Sequence, residues 1–151
     1  MKINNKLKDI NIITAKLSAD QTVTATSGTI SLTISTAVGN KLSLSSTTNK
    51  ITIGAGVSKV KISGNMRIST SGSSSIGVNL NIFKNDSVYV SSNRTSLAGN
   101  SFDGLSTAPK VIDVQEGDTI HMAYWKGNST QAVSILGNTY GATFLTVEVV
   151  E

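Results

Sequence analysis

The stretch VIDVQEGDTIHMAYW, residues 111–125, decides the fold. Its first half alternates apolar and polar side chains, with Ile112 and Val114 on one face, and its second half repeats this with Ile120, Met122 and Tyr124. Successive side chains of an extended chain point to opposite sides, so each half reads as a half-buried strand. Between them Gln115, Glu116, Gly117 and Asp118 supply turn chemistry, because Asp bonds its own backbone and Gly accepts positive φ. The expectation is two strands joined by one short turn.

The same alternation recurs in both directions. Toward the N-terminus it covers Ile13, Ala15 and Leu17, then Val23 and Ala25, then Ile30, Leu32 and Ile34, with shorter pairs at Leu42 and Leu44 and at Ile51 and Ile53. Two longer runs follow, Val60 to Ile68 and Ile76 to Ile82. Gly64 in the middle of the first predicts a bulge or a close backbone approach. Lys84, Asn85, Asp86 and Ser87 turn the second into Val88, Tyr89 and Val90, which predicts a hairpin. Beyond the opening stretch come Val133 and Ile135, then Leu145, Val147 and Val149. Residues 91–110 have no periodicity and read as a long loop, either a binding surface or a surface loop with Leu97, Phe102 or Leu105 tucked into the core. Roughly ten short strands, apolar on one face, imply an all-β fold: an antiparallel two-sheet jelly-roll sandwich. A parallel β-solenoid ranks below it, since no fixed repeat period spans the chain.

Composition agrees. The 151 residues are 38% hydrophobic and only 15% charged, which suits strands with hydroxyl- and amide-bearing outer faces. Residues 10–151 form one expected domain, preceded by a polar, Lys-rich arm at 1–9. The net charge of +4 is spread along the chain without basic runs interleaved with aromatics, so no nucleic-acid partner is expected. No segment approaches a membrane span, so no membrane insertion is expected, and residues 1–18 lack the apolar core of a signal peptide.

No catalytic pattern emerges. The absence of cysteine removes thiolate sites, and the single His121 has no second His to share a familiar metal. Asp113, Glu116 and Asp118 bracket a turn at a spacing that matches no calcium loop. No serine sits in a nucleophile elbow. We therefore expect no enzyme activity and no cofactor. Trp125, Tyr124 and Tyr140 could stack on sugar rings or serve as core or interface residues.

Three tracts in this order, LNIFKNDSVYV (80–90), EGDTIHM (116–122) and TFLTVEVV (143–150), resemble the C1q/TNF-like jelly roll. The version they resemble most is that of phage tail-fibre, head-fibre and baseplate receptor-binding proteins. C1q proteins proper show a Gly soon after the terminal aromatic, whereas Phe144, Leu145 and Thr146 include none, which favours the phage-like branch. The resemblance implies a homotrimer with its last strand near the threefold axis. Strand phases agree that Phe144, Val150, Tyr124 and His121 cannot all enter one core. His121, Ala123, Phe144, Thr146 and Glu148 are the expected trimer interface. Asn93, Arg94, Asn100, Phe102, Asp103, Asn138 and Tyr140, in the loops at 92–108 and 137–142, are the expected receptor contacts. The implied role is host-surface attachment, through a saccharide or protein, with the arm joining other virion proteins. The alternative is a purely structural virion or bacterial surface protein, such as a capsid or tail decoration or a trimerisation cap.

Overall fold

The computed structural model describes residues 10–72, 74–92, 95–127, 130–137 and 143–151; the arm expected at 1–9 lies outside them. In chain order the strands are β1 (Ile12–Lys16), β2 (Gln21–Val23), β3 (Ser27–Thr29), β4 (Thr33–Val38), β5 (Leu42–Leu44), β6 (Ile51–Ile53), β7 (Lys59–Thr70), β8 (Ile76–Lys84), β9 (Ser87–Ser91), β10 (Thr95–Leu97), β11 (Ser101–Ser106), β12 (Lys110–Asp113), β13 (Thr119–Lys126), β14 (Val133–Leu136) and β15 (Phe144–Val149). These fifteen exceed the roughly ten expected because the long strands are flanked, edge by edge, by pairs of short ones.

An eight-stranded sheet is built on β7, whose burial alternates along its whole length, Val60, Ile62, Gly64, Met66 and Ile68 facing inward. β12 and β11 lie end to end along one edge of it, β15 and β14 along the other. Next come β1 and β2, and β4 ends that side. The second sheet, of seven strands, centres on β8 paired with β13, with β9 and β10 beyond β8 and β3 and β6 beyond β13. β5 ends it. Every pairing is antiparallel. Ile62, Met66, Leu145 and Val147 from one sheet and Leu80, Ile82, Ile120 and Met122 from the other fill the core between them, none more than 1% exposed.

Gly64 marks a place where the two sheets approach closely. A Cβ there would stand 3.1 Å from the Met122 Sδ and 3.3 Å from the Ile82 Cδ1, while its pairing with β15 runs through without a bulge. Of the two readings of this glycine, close approach is the one realised.

Hydroxyls complete the ladders where one short strand hands over to the next. Between β12 and β11, the Thr107 N–H donates to the Gly64 carbonyl and the Gly64 N–H donates to Thr107 Oγ1, both at 2.9 Å. Between β9 and β10, Ser92 does the same for Leu80, at 2.8 and 3.0 Å. Between β14 and β15, Thr143 Oγ1 accepts from the Arg67 N–H at 3.1 Å and donates to the Leu136 carbonyl at 2.7 Å. All three hydroxyl residues are buried, so each group they satisfy would otherwise be an orphan in the sandwich.

Three local expectations are revised. The stretch 111–125 is not a hairpin: β12 pairs with β7 in one sheet and β13 with β8, β6 and β3 in the other, so the turn at 114–118 crosses the sandwich. Both halves do direct their apolar residues into one core, but from opposite sides. Ile30 and Leu32 are buried as expected, yet the strand begins only at Thr33, and all six residues of β4 are exposed. Residues 91–110 are not one loop, since β10 and β11 lie within them. Leu97 and Leu105 enter the core, whereas Phe102 is 65% exposed. The hairpin between β8 and β9 forms as expected, with Asn85 and Asp86 both at positive φ, the two-residue turn that matches strand twist.

The crossing turn is held by Asp118, 4% exposed. Its carboxylate accepts from the Gln115 N–H at 3.0 Å and from Asn85 Nδ2 at 2.6 Å, and pairs with Lys84 at 3.0 Å. Burial alone would raise its pKa, but these donors, Asn85 first, outweigh that and hold it below the ordinary value. Gly117, at φ 87°, supplies the backbone reversal.

Candidate functional site

Both sheets turn one face outward, and the expected site residues divide between those faces. On the eight-stranded sheet, directly paired residues form rows across the surface. One row is Val38, Ile12, Glu148, Lys61 and Val111; the next is Thr36, Thr14, Thr146 and Ser63; a third is Thr33, Lys16, Phe144 and Asn65. The middle row is entirely small hydroxyl side chains, and Thr14 and Thr146 bond each other at 3.2 Å. Lys61 and Glu148 form an ion pair, so the first row carries no net charge. At the two sides stand exposed apolar groups, Val38 on β4 and Val111 on β12. Beside Phe144 an open hollow of about 440 Å³ is lined by Ser63, Asn65, Arg67, Gly104 and Ser106.

Phe144, Thr146 and Glu148 therefore share one surface. His121 and Ala123 do not share it, because β13 belongs to the other sheet. The physical reason is the sheet-crossing turn: the out-of-phase residues of β13 and β15 point away from each other, to opposite sides of the sandwich.

On the seven-stranded sheet the outward rows are Ser27, Trp125 and Asn79; Thr29, Ala123, Asn81 and Ser91; and His121, Phe83 and Val88. Phe83 and His121 stack with ring centroids 4.9 Å apart and planes 14° from parallel. His121 is 5% exposed, and its Nδ1 is buried without a hydrogen-bond partner. Burial, with help from the Lys50 charge and against that of Asp86, pushes its pKa below the ordinary histidine value, so it is neutral at pH 7.

Of the expected receptor contacts, Asn93, Arg94, Asn138 and Tyr140 lie outside the described residues. Asn100 is exposed in the bend before β11. Phe102 and Asp103 are strand residues of β11 rather than loop residues, Phe102 pairing with Ser69 and Asp103 with Ile68. Asp103 accepts hydrogen bonds from the Thr95 hydroxyl and from the Gly104 N–H. No cluster of three or more His, Cys, Asp or Glu side chains suited to a metal occurs among the described residues.

The order of strands and their pairing can be compared with solved structures. Eiger TNF from S. frugiperda matches with a TM-score of 0.66 over 95% of this chain and 94% of that one, at 9% identity. The fold is a TNF-like jelly roll. Murine APRIL matches at a TM-score of 0.61, covering 93% of this chain and 99% of that one, again at 9% identity. No protein-family model matches the sequence, and no curated protein matches it. Sequence reasoning found the last jelly-roll strand and its outward residues, but missed the partners that the outward row beside Trp125 draws from β3 and β8. The available signal was phase: Phe83 and Asn81 alternate against Leu80 and Ile82.

Proposed function

We propose that this chain is a non-enzymatic binding module that assembles as a homotrimer through the outward face of its eight-stranded sheet. The observation that carries this reading is that face itself. Its centre is a neutral row of Thr and Ser, its Lys61–Glu148 and Lys59–Glu151 ion pairs are each self-compensated, and exposed Val38 and Val111 stand at its two sides. Burying the central row desolvates no charged side chain, and covering the two valines removes apolar area from water, while Lys16 and Arg67 stand in and beyond the row of Phe144. β4, exposed at every position, gains cover by the same packing. In this arrangement Phe144, Thr146 and Glu148 belong to the interface, while His121 and Ala123 lie on the face turned away.

The module serves host-surface attachment in a phage-like fibre or tail, on a virion, with residues 1–9 joining it to other virion proteins. Receptor contact, to a saccharide or a protein, falls to the sandwich end bearing Asn100, Phe102 and Asp103, together with Asn93, Arg94, Asn138 and Tyr140. Sedimentation velocity tests the assembly. A trimer is expected at micromolar concentration, and Thr146→Arg, which places a charge in the centre of the neutral row, yields a folded monomer. A monomeric parent chain at that concentration refutes the reading.

A further inference from the structure

The seven-stranded sheet carries a second surface with the makings of a ligand site. Ala123 is the smallest side chain in the middle row of its outward face, and the rows two residues away in each direction carry aromatics, Trp125 on one side and the Phe83–His121 stack on the other. Trp125 and His121 lie four residues apart on one strand, a Cα separation of about 13 Å at the rise of an extended chain. A small residue between large ones leaves a dip, and the dip is there: a hollow of about 310 Å³, floored by Ala123 and walled by Trp125, Phe83, His121 and Val88. Its sides are Ser27 and Thr29 from β3 and Asn81 from β8. The Ser91 hydroxyl donates to Asn81 Oδ1 at 2.7 Å, which holds the amide and leaves its NH2 as the donor on offer.

From this arrangement we infer that the hollow binds an uncharged saccharide, one or two pyranose units in length. Aromatic walls accept the apolar C–H faces of sugar rings, and hydroxyl and amide groups beside them match sugar hydroxyls. The size is at the lower end of small-molecule sites, which sets the length. The neutral class follows from the lining, which among the described residues contains no Lys, Arg, Asp or Glu. The nearby Lys50 is already paired with Asp86 at 2.6 Å and is not part of the lining, so an acidic sugar would lose hydration without a cation of its own. His121, kept neutral by burial, preserves that character at pH 7. The site lies across the sandwich from the proposed packing face, so it stands independently of trimer formation and places one saccharide contact on the side walls of the assembly.

The chain has one tryptophan, so fluorescence excited beyond the absorption of its three tyrosines reports Trp125. The full-length protein is titrated with methyl glycosides of neutral hexoses and N-acetylhexosamines and their disaccharides, with sialyllactose and a sulfated disaccharide as acidic arms. A saturable spectral shift with at least one neutral sugar and none with the acidic pair is expected. Ala123→Val fills the floor with a residue that suits a strand; it weakens binding by about tenfold or more with an unchanged sedimentation profile and circular dichroism. Trp125→Ala, followed by calorimetry, loses binding to a similar degree. No saturable response to any neutral sugar, equal or tighter binding of the acidic ones, or undiminished affinity in Ala123→Val each overturns the inference. None of these outcomes bears on the oligomeric state, which sedimentation reads separately.

Discussion

Replacing Thr143 by valine keeps the shape of the side chain and removes only its hydroxyl, which is what completes the ladder between β14 and β15. Two buried backbone groups lose their partner at once, the Arg67 N–H, now 3.1 Å from the hydroxyl, and the Leu136 carbonyl, 2.7 Å from it. Thr143 is fully buried, so water cannot substitute. Each unsatisfied group costs about 1–3 kcal/mol, giving roughly 2–6 kcal/mol for the pair. Thr107→Val makes the internal comparison. It orphans only the Gly64 N–H, for about 1–3 kcal/mol, since the Thr107 N–H still reaches the Gly64 carbonyl. Urea denaturation at matched protein concentration reads the difference. With a slope of about 1–3 kcal/mol per molar, Thr143→Val moves the midpoint roughly twice as far as Thr107→Val. Thr143→Ser, which restores the hydroxyl, recovers most of the loss. Equal effects of the two valine variants, or no recovery with serine, would refute the account of these hydroxyls as ladder links.

Two further outcomes follow from the same sandwich. Gly64→Val adds a Cβ already 3.1 Å from the Met122 Sδ plus two methyls, an overpacking of about 1–3 kcal/mol, and lowers the melting temperature by about 2–4 °C per kcal/mol; an unchanged or higher midpoint contradicts the close sheet approach. His121 has its folded pKa depressed chiefly by burial, so the unfolded chain takes up a proton near pH 6.5 while the native state resists it. The resulting stability is whole above that pH and falls away as pH drops from about 6.5 toward the folded pKa. Melting curves at pH 7.5 and 5.5 should show a smaller loss for His121→Gln than for the parent, and an equal loss removes His121 as the cause.

Much of this architecture can be read from alternation alone. β7, β8 and β15 each carry a run of aliphatic residues at period two, and a one-residue slip would expose all of them, so their faces are determined locally. Sheet membership is different. Ile112 and Val114 face the same core as Ile120 and Met122, and nothing in a one-sided pattern says from which side a strand approaches it. The reading of residues 111–125 as a hairpin failed there, and His121 and Phe144, both expected at the trimer interface, lie on opposite outward faces. β11 escaped notice because its sequence SFDGLS offers only Leu105 to the core while Phe102 points out. It is a strand because β7 presents it with an unpaired edge, a tertiary cause with no local signal. The outward hollow beside Trp125 required side chains from β3, β8 and β13 to meet, and residues roughly forty to a hundred positions apart meet only once the pairing is known.

The position of β15 between β7 and β1 also governs how the protein can be made. The first strand of the sandwich finds its central neighbour only when the last has been synthesised. Until Phe144–Val149 leaves the ribosome, β1 and β4 have no link to β7 through the sheet. Closure of this sandwich therefore waits on β15, and a nascent chain passes through an unclosed stage whose lifetime is set by translation of the residues up to Val149.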